Sequence, residues 1–438
     1  MKISSDDGSL KIEHVVYKSN KRIKIKSCTI SGCFEDIDSL KTEISALLTG
    51  RPKRLLVIIN PNSGKRRTLK IYEKYAAPLF EECDIHADVW VTQKPKEPTD
   101  ILKHYDLTHL DGIVAVGGDG IFCECINGLI TRIQRDHSID HNNPTTDIIP
   151  ASLPIGIIPA GSGDVIAQYL YGTRCPRTAV LHILLGNQVV SNLVSVHEGG
   201  KFLSYSALVL GFGLFGDMMH DCESFRWMGP ARYNIIPFVS MFKRHEIDVH
   251  IDYFHSEKDE AVRRERLYGH HISLPNGFLD YSILSQIHRT KSTSDVQQDE
   301  KAIKESVTEE GRVYAVDSHA IMMKEKSGRM TPHFGQDALM VYTTHKCSLT
   351  GHIAQLTKVK DELPDCYDFE FVGKHSVSGY RVVLTNATVT NKDGKTVLQK
   401  DYYINCDGEA IRLSKPCFDV KLHRKVIKFF GDAVSRSS

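Results

Sequence analysis

Apolar runs that end in polar turns, each followed by a helical period, organise the first half of the chain. LLVIIN (55–60) is continuously apolar, which suits a strand buried on both faces, and it runs into the turn cluster NPNSGK (60–65). TLKIYEKYAAPLFEEC has helical spacing, HADVWVTQ (86–93) reads as a strand, and PTDILKHYDLTHL as a helix. DGIVAVGGDG then predicts a third strand entering a glycine turn, with GIFCECINGLITRI as its helix. ASLPIGIIPAGSGD (151–164) repeats the strand and glycine turn, and VIAQYLYG and TAVLHILLG read as helices. Such alternation predicts a parallel sheet covered on both faces, a three-layer α/β nucleotide-binding domain over 51–190.

The texture changes near residue 190. KFLSYSALVLGFG, EIDVHIDYFH, ALMVYTTH, YDFEFVG, YRVVLTN and DYYINCDG alternate at short range, which predicts an antiparallel β-sandwich domain over 191–410. The whole is therefore an α/β + β architecture. One helical stretch, 216–243, interrupts the second part, and the polar, aromatic-poor stretch 286–312 is expected to be a disordered insertion. Residues 411–438 return to apolar–basic alternation and are expected to pack back on the core as a strand or helix. Residues 1–50 read as strands followed by an amphipathic helix, with Asp36 or Asp38 as cap and Leu40, Ile44 and Leu47 as its stripe.

Composition narrows the function classes. A length of 438 residues fits two domains, and 55 Lys plus Arg against 54 Asp plus Glu excludes nucleic-acid binding by bulk charge. Neither an apolar run long enough to span a bilayer nor a signal-peptide core is visible, so a cytoplasmic chain with peripheral membrane contact is expected. The 11 Cys are scattered without metal-ligand spacing and read as reduced thiols.

The candidate chemistry lies in the turns. Gly117, Gly118 and Gly120 in GGDG, and Gly161 and Ser162 in PAGSGD, follow strands and precede helices, where free backbone N–H groups and a helix dipole can hold phosphate. Asp119 is the unusual member, because a carboxylate beside phosphate needs a metal or a proton to take. The bland alternative is a tight turn with Asp119 as helix cap. Asn60, Asn62, Ser63 and Gly64 offer further hydrogen bonds, although NPNSGK lacks the Walker A pattern and, taken alone, reads more readily as a plain β-turn. All three turns would stand at the carboxyl ends of parallel strands, where open α/β sheets bind ligands.

VAVGGDGIFCECINGL resembles the signature of the diacylglycerol kinase catalytic superfamily, which includes sphingosine and ceramide kinases, and IINPNSGK and GIIPAGSGD resemble its other nucleotide loops. LTGRPKRLLVIINP and LVLGFGLFGDMMHDCESFRWMGPARY are most similar to the ceramide kinase branch. The resemblance implies an ATP- and Mg²⁺-dependent lipid kinase acting on ceramide, with sphingosine or diacylglycerol kinase, or a silent lipid-binding protein, as alternatives. It implies Asp119 as catalytic base or metal organiser. Asn60, Ser63, Thr92, Gly118, Gly120, Glu124 and Ser162 would line the ATP pocket, with Arg226 and Arg232 at its phosphates and Asp407 and Glu409 near the nucleotide and its metal. Asp407 would join Asp119 at the metal, and Asp217 and Glu223 would meet the lipid head group. The bland reading of Asp217 and Glu223 is a solvated helix face. Met219 stands where sphingosine kinases have Asp, which favours a neutral N-acylated lipid over an ammonium. Asp164 replaces the Asn of many relatives. CTISGCFEDIDSLKTEISALLTG resembles the end of a pleckstrin-homology domain. No nucleic-acid partner is implied, and a homodimer is left open.

Overall fold

The computed structural model describes residues 2–6, 9–17, 23–31, 50–225, 228, 232–240, 245–254, 307–324, 330–360, 367–390 and 396–432. Strands β1 (Lys2–Asp6), β2 (Ser9–Tyr17) and β3 (Ile23–Ser31) form an antiparallel sheet of their own. The helix expected before Gly50 lies outside the described residues.

The α/β half is built on β4 (Arg54–Ile59), β5 (His86–Val91), β6 (Gly112–Gly117) and β7 (Pro154–Pro159), paired in parallel in the order β7-β6-β4-β5. A run such as LLVII is apolar at every position because both faces of its sheet are covered. Leu56, Ile58, Ile113, Ala115 and Ile157 pack to one side, with Leu102, Phe122 and Ile126 from the helices there. Leu55, Val57, Ile59, Val114 and Val116 pack to the other, with Tyr72, Phe80, Val180 and Ile183. The covering helices are α1 (Thr68–Ile71), α2 (Ala77–Glu82), α3 (Glu97–His104), α4 (Asp119–Asp136), α5 (Val165–Tyr171) and α6 (Pro176–Leu185). One π turn, Tyr72–Ala76, joins α1 to α2, just before Pro78.

The antiparallel half comprises β8 (Gln188–Glu198), β9 (Lys201–Ser206), β10 (Val209–Gly213), β11 (Ile247–Phe254), β12 (Thr308–His319), β13 (Met322–Lys324), β14 (Met330–Pro332), β15 (Leu339–His345) and β16 (Val372–Val377). It continues through β17 (Gly379–Leu384), β18 (Thr388–Thr390), β19 (Thr396–Leu398), β20 (Tyr403–Cys406), β21 (Glu409–Arg412) and β22 (Cys417–Phe430). Helices α7 (Leu214–Ser224), α8 (Arg232–Ser240) and α9 (Leu349–Lys360) interrupt it.

The two halves share one ladder. β22 pairs with β7 in parallel and with β8 and β17 antiparallel, so hydrogen bonds run unbroken through a 15-stranded sheet. The final segment is therefore the central seam, which local alternation alone could not reveal. Two expectations are corrected. The described residues of 216–243 include helices α7 and α8, and α7 starts already at Leu214. Within 286–312, residues up to 306 lie outside the described set, but Thr308–Arg312 belong to β12, held by pairing with Asp248, Val249, His250, Ile251 and Asp252 of β11. Their polarity reflects an exposed strand end, where pairing rather than burial fixes the backbone.

Candidate active site

Parallel order puts the ends of β4, β6 and β7 side by side, and the turns that follow them touch. Asn60 N–H donates to Val116 O at 3.1 Å, and Asn62 N–H to Asn60 Oδ1 at 2.9 Å, which fixes the NPNSGK loop. Gly64 takes a left-handed φ of 53° against Ala160 O. A Cβ on Gly117 would lie 2.9 Å from Ser63 Oγ, and one on Gly118 would lie 3.1 Å from Gly161 Cα. Glycine is thus required where one turn's backbone meets the next. Gly120 differs. It is exposed and a Cβ there meets nothing within 4 Å, so any crowding at Gly120 comes from a ligand. Ser162 is also exposed, whereas Thr92 is buried with its hydroxyl donating to Ile59 O at 3.2 Å.

Asp119 neither stands alone nor caps its own helix. Gly118 is the N-cap of α4, while the Asp119 carboxylate accepts Val165 N–H at 3.1 Å and Ile166 N–H at 3.0 Å. It thereby occupies the amides at the start of α5, amides the sequence reading assigned to a phosphate. Each oxygen carries one such bond and keeps further acceptor capacity. Asp164, the residue before α5, holds a left-handed φ of 52° and accepts Gly161 N–H at 2.9 Å. Burial, with Asp119 nearby, pushes its carboxyl up to about 6. Sequence reading treated Asp164 only as a departure from relatives. The available signal was its position, the last polar residue between a glycine turn and a helix.

Asp407 overturns its assignment as a metal ligand. Its buried carboxylate accepts Ser206 Oγ–H at 2.7 Å and the N–H groups of Ala207, Leu208 and Val209 at 2.6, 3.0 and 2.8 Å; Cys123 Sγ–H adds a contact at 3.3 Å. Burial raises its pKa while these donors pull it back. A carboxylate saturated by donors has no free edge to offer a cation, so Asp407 ties the β9–β10 connection to the β20–β21 hairpin. Glu409, two residues on, points instead to Lys96 Nζ at 2.7 Å. Lys96 comes from the loop after β5, and Glu409, Glu124 and Glu223 together raise its pKa. Lys96 was missed because its partner lies far away in sequence.

On α7, Asp217 meets His245 Nδ1 at 3.2 Å; burial raises the Asp217 pKa and the imidazole lowers it. Arg232 opens α8, close enough to Cys222 of α7 to act on its thiol. Arg226 lies outside the described residues. Asn60, Asn62, Ser63, Gly64, Gly117, Gly118, Gly120, Asp119, Gly161 and Ser162 thus converge, Glu124, Glu223 and Glu409 gather around Lys96, and Thr92 and Asp407 turn inward. Among the described residues no group of His, Cys, Asp and Glu is arranged as a preformed metal site.

Residues 54–196 match the model of the diacylglycerol kinase catalytic domain. Around this stretch, similarity runs over nearly the whole sequence. Ceramide kinase of Homo sapiens is 29% identical over 422 residues, covering 90% of this chain and 76% of that protein. Ceramide kinase of Mus musculus is 28% identical, and sphingosine kinase 1 of Arabidopsis thaliana is 37% identical over 42% of this chain and 36% of its own length. A putative diacylglycerol kinase from Bacillus anthracis shares the fold, with a TM-score of 0.55 at 14% identity over 87% of this chain and 96% of that one. The α/β half and the antiparallel half thus form one known arrangement, parallel strands first and antiparallel strands after.

Proposed function

We propose that the protein is an ATP-dependent lipid kinase that transfers the γ-phosphoryl group to the primary hydroxyl of ceramide. The observation that carries this reading is the contact of three glycine-containing turns beside Asp119, in a chain similar to ceramide kinases along most of its length. Phosphoryl transfer needs positioning and charge neutralisation more than covalent help. The open face at Gly120 lets a phosphate approach the backbone closely. Asp119, held by two amides of α5, presents a fixed carboxylate to the acceptor hydroxyl, orienting it and taking its proton late in the transfer. Lys96 supplies positive charge at the rim and can exchange Glu409 for a phosphate.

Magnesium enters with ATP. Of the residues expected at the metal, Asp119 fits through its remaining acceptor capacity, and Asp407 does not. When bound, the ion neutralises phosphate charge. The lipid reaches the site from a membrane surface. Phe225 at the end of α7, and Ile235 and Val239 one turn apart on α8, expose apolar side chains that suit peripheral contact with a bilayer. No described helix is long and apolar enough to cross a membrane.

The test is a radiolabelled-ATP panel of ceramide, sphingosine and diacylglycerol with wild type and Asp119→Asn. Asparagine keeps one acceptor but turns an NH₂ group toward a backbone N–H. Ceramide is expected to rank first, with a loss of at least ~10²-fold in the variant. Ceramide ranking last would refute the substrate; lipid binding without turnover would make the protein a silent relative.

A further inference from the structure

One carboxyl in the antiparallel half has no role in the site above. Asp317 of β12 is 1% exposed, and neither of its oxygens meets a hydrogen-bond donor among the described residues. Buried polar groups are nearly always paired, so an acid left open marks a place where a partner arrives. Its surroundings say where. Asp317 stands opposite Gly211 of β10 and Tyr342 of β15. A Cβ on Gly211 would lie 3.0 Å from Asp317 Oδ1 and 2.8 Å from Phe215 Cβ, so the first turn of α7 sits directly over this acid. Two residues earlier, on the same strand face, Ala315 packs with Leu214 and Phe215 of α7 and Leu356 of α9. Thr344, opposite Ala315, accepts from Gln355 Nε2 of α9 at 3.0 Å, and Gln355 Oε1 is likewise buried without a donor.

A polar spot with open hydrogen-bonding capacity therefore lies where α7 and α9 meet the sheet, within an otherwise apolar environment. Resting on the lipid-kinase reading, we infer that Asp317 is a binding subsite for the secondary amide of an N-acylated lipid, held beneath α7. Ionising an acid buried without a partner is costly, and burial pushes this carboxyl well above the usual carboxylate range; in its neutral form it offers one O–H donor and one carbonyl acceptor. A secondary amide offers the complement, one C=O and one N–H, and the two close a pair of hydrogen bonds. An ester has only the acceptor. A free ammonium would force a charge into the same dry site, which is costly. The subsite thus selects for the amide linkage itself, adding to the absence of a carboxylate at Met219.

The experiment measures binding of short-chain ceramide and short-chain diacylglycerol by thermal shift, and their phosphorylation, in wild type, Asp317→Leu and Asp317→Asn. Two lost hydrogen bonds predict a weakening of ceramide binding by about 10- to 30-fold in Asp317→Leu, against about 5-fold or less for diacylglycerol. Asparagine, which keeps a donor and an acceptor, stays within about 5-fold of wild type on ceramide by the same reasoning. Without ligand, Asp317→Leu melts higher than wild type, because an unpaired buried acid is removed. Unchanged ceramide binding, equal losses for both lipids, or a lower melting point in the free protein would overturn the subsite, the last by revealing a water-bridged structural acid. Should no lipid be phosphorylated, the kinase reading fails, while the binding arm still judges Asp317.

Discussion

The contact between the second and third turns sets a test with a built-in control. In Gly161→Ala the new methyl would lie 2.7 Å from Asp164 Oδ1 and closer still to Gly118 Cα, where ordinary contact begins at 3.4 Å. Neither neighbour can swing aside, because Gly118 is backbone and Asp164 is tied to Gly161 N–H. The turns must separate by about 1 Å, and a misplacement of that size costs about 10²-fold in a positioned reaction. Gly120→Ala introduces a methyl into open space, so it should fold and melt like wild type. Steady-state kinetics with varied ATP, alongside melting curves, separates the two. Gly161→Ala should lose kcat by about 10²-fold with a lowered melting point, whereas Gly120→Ala should raise the KM for ATP at unchanged stability. If Gly161→Ala kept kcat within about 3-fold, the argument that turn contact positions the reaction would be wrong. A wild-type KM in Gly120→Ala would place the phosphates elsewhere.

Two further outcomes follow from the carboxylates. Asp407→Ala strands the hydroxyl of Ser206 and three buried N–H groups, which should cost roughly 3–5 kcal/mol, seen as a lower denaturant midpoint, without altering the Mg²⁺ dependence of whatever activity survives. Asp164, with a folded pKa of about 6 above the ordinary value of 3.8, holds its proton more tightly folded than unfolded. Stability should therefore fall as pH rises between about 4 and 6, and Asp164→Asn should flatten that slope in pH-dependent melting curves.

Much of the α/β half was legible because each strand there is buried on both faces, which leaves an unbroken apolar run between turn residues. The turns were legible as candidates, since all three follow such strands and so stand at one edge of the sheet. The antiparallel half was readable as strands but not as partners: β22 could not be seen to join β7, β8 and β17, because alternation states a period and no neighbour. The same limit explains the miss at Lys96, whose pairing with Glu409 depends on a fold that brings the β5–α3 loop to the β20–β21 hairpin.

Asp119 shows the division most clearly. The residues around it determined a phosphate-type turn at a strand end, since apolar period and glycine placement are local properties of the chain. Which groups its carboxylate would meet was a tertiary matter, decided when β6 and β7 paired and brought Val165 and Ile166 within reach. Asp407 and Asp317 carry the same lesson in opposite directions. Both are acids on strands or hairpins, indistinguishable by spacing. Packing surrounded one with donors and left the other buried and open, because burial and partners are set by the neighbours that the fold supplies.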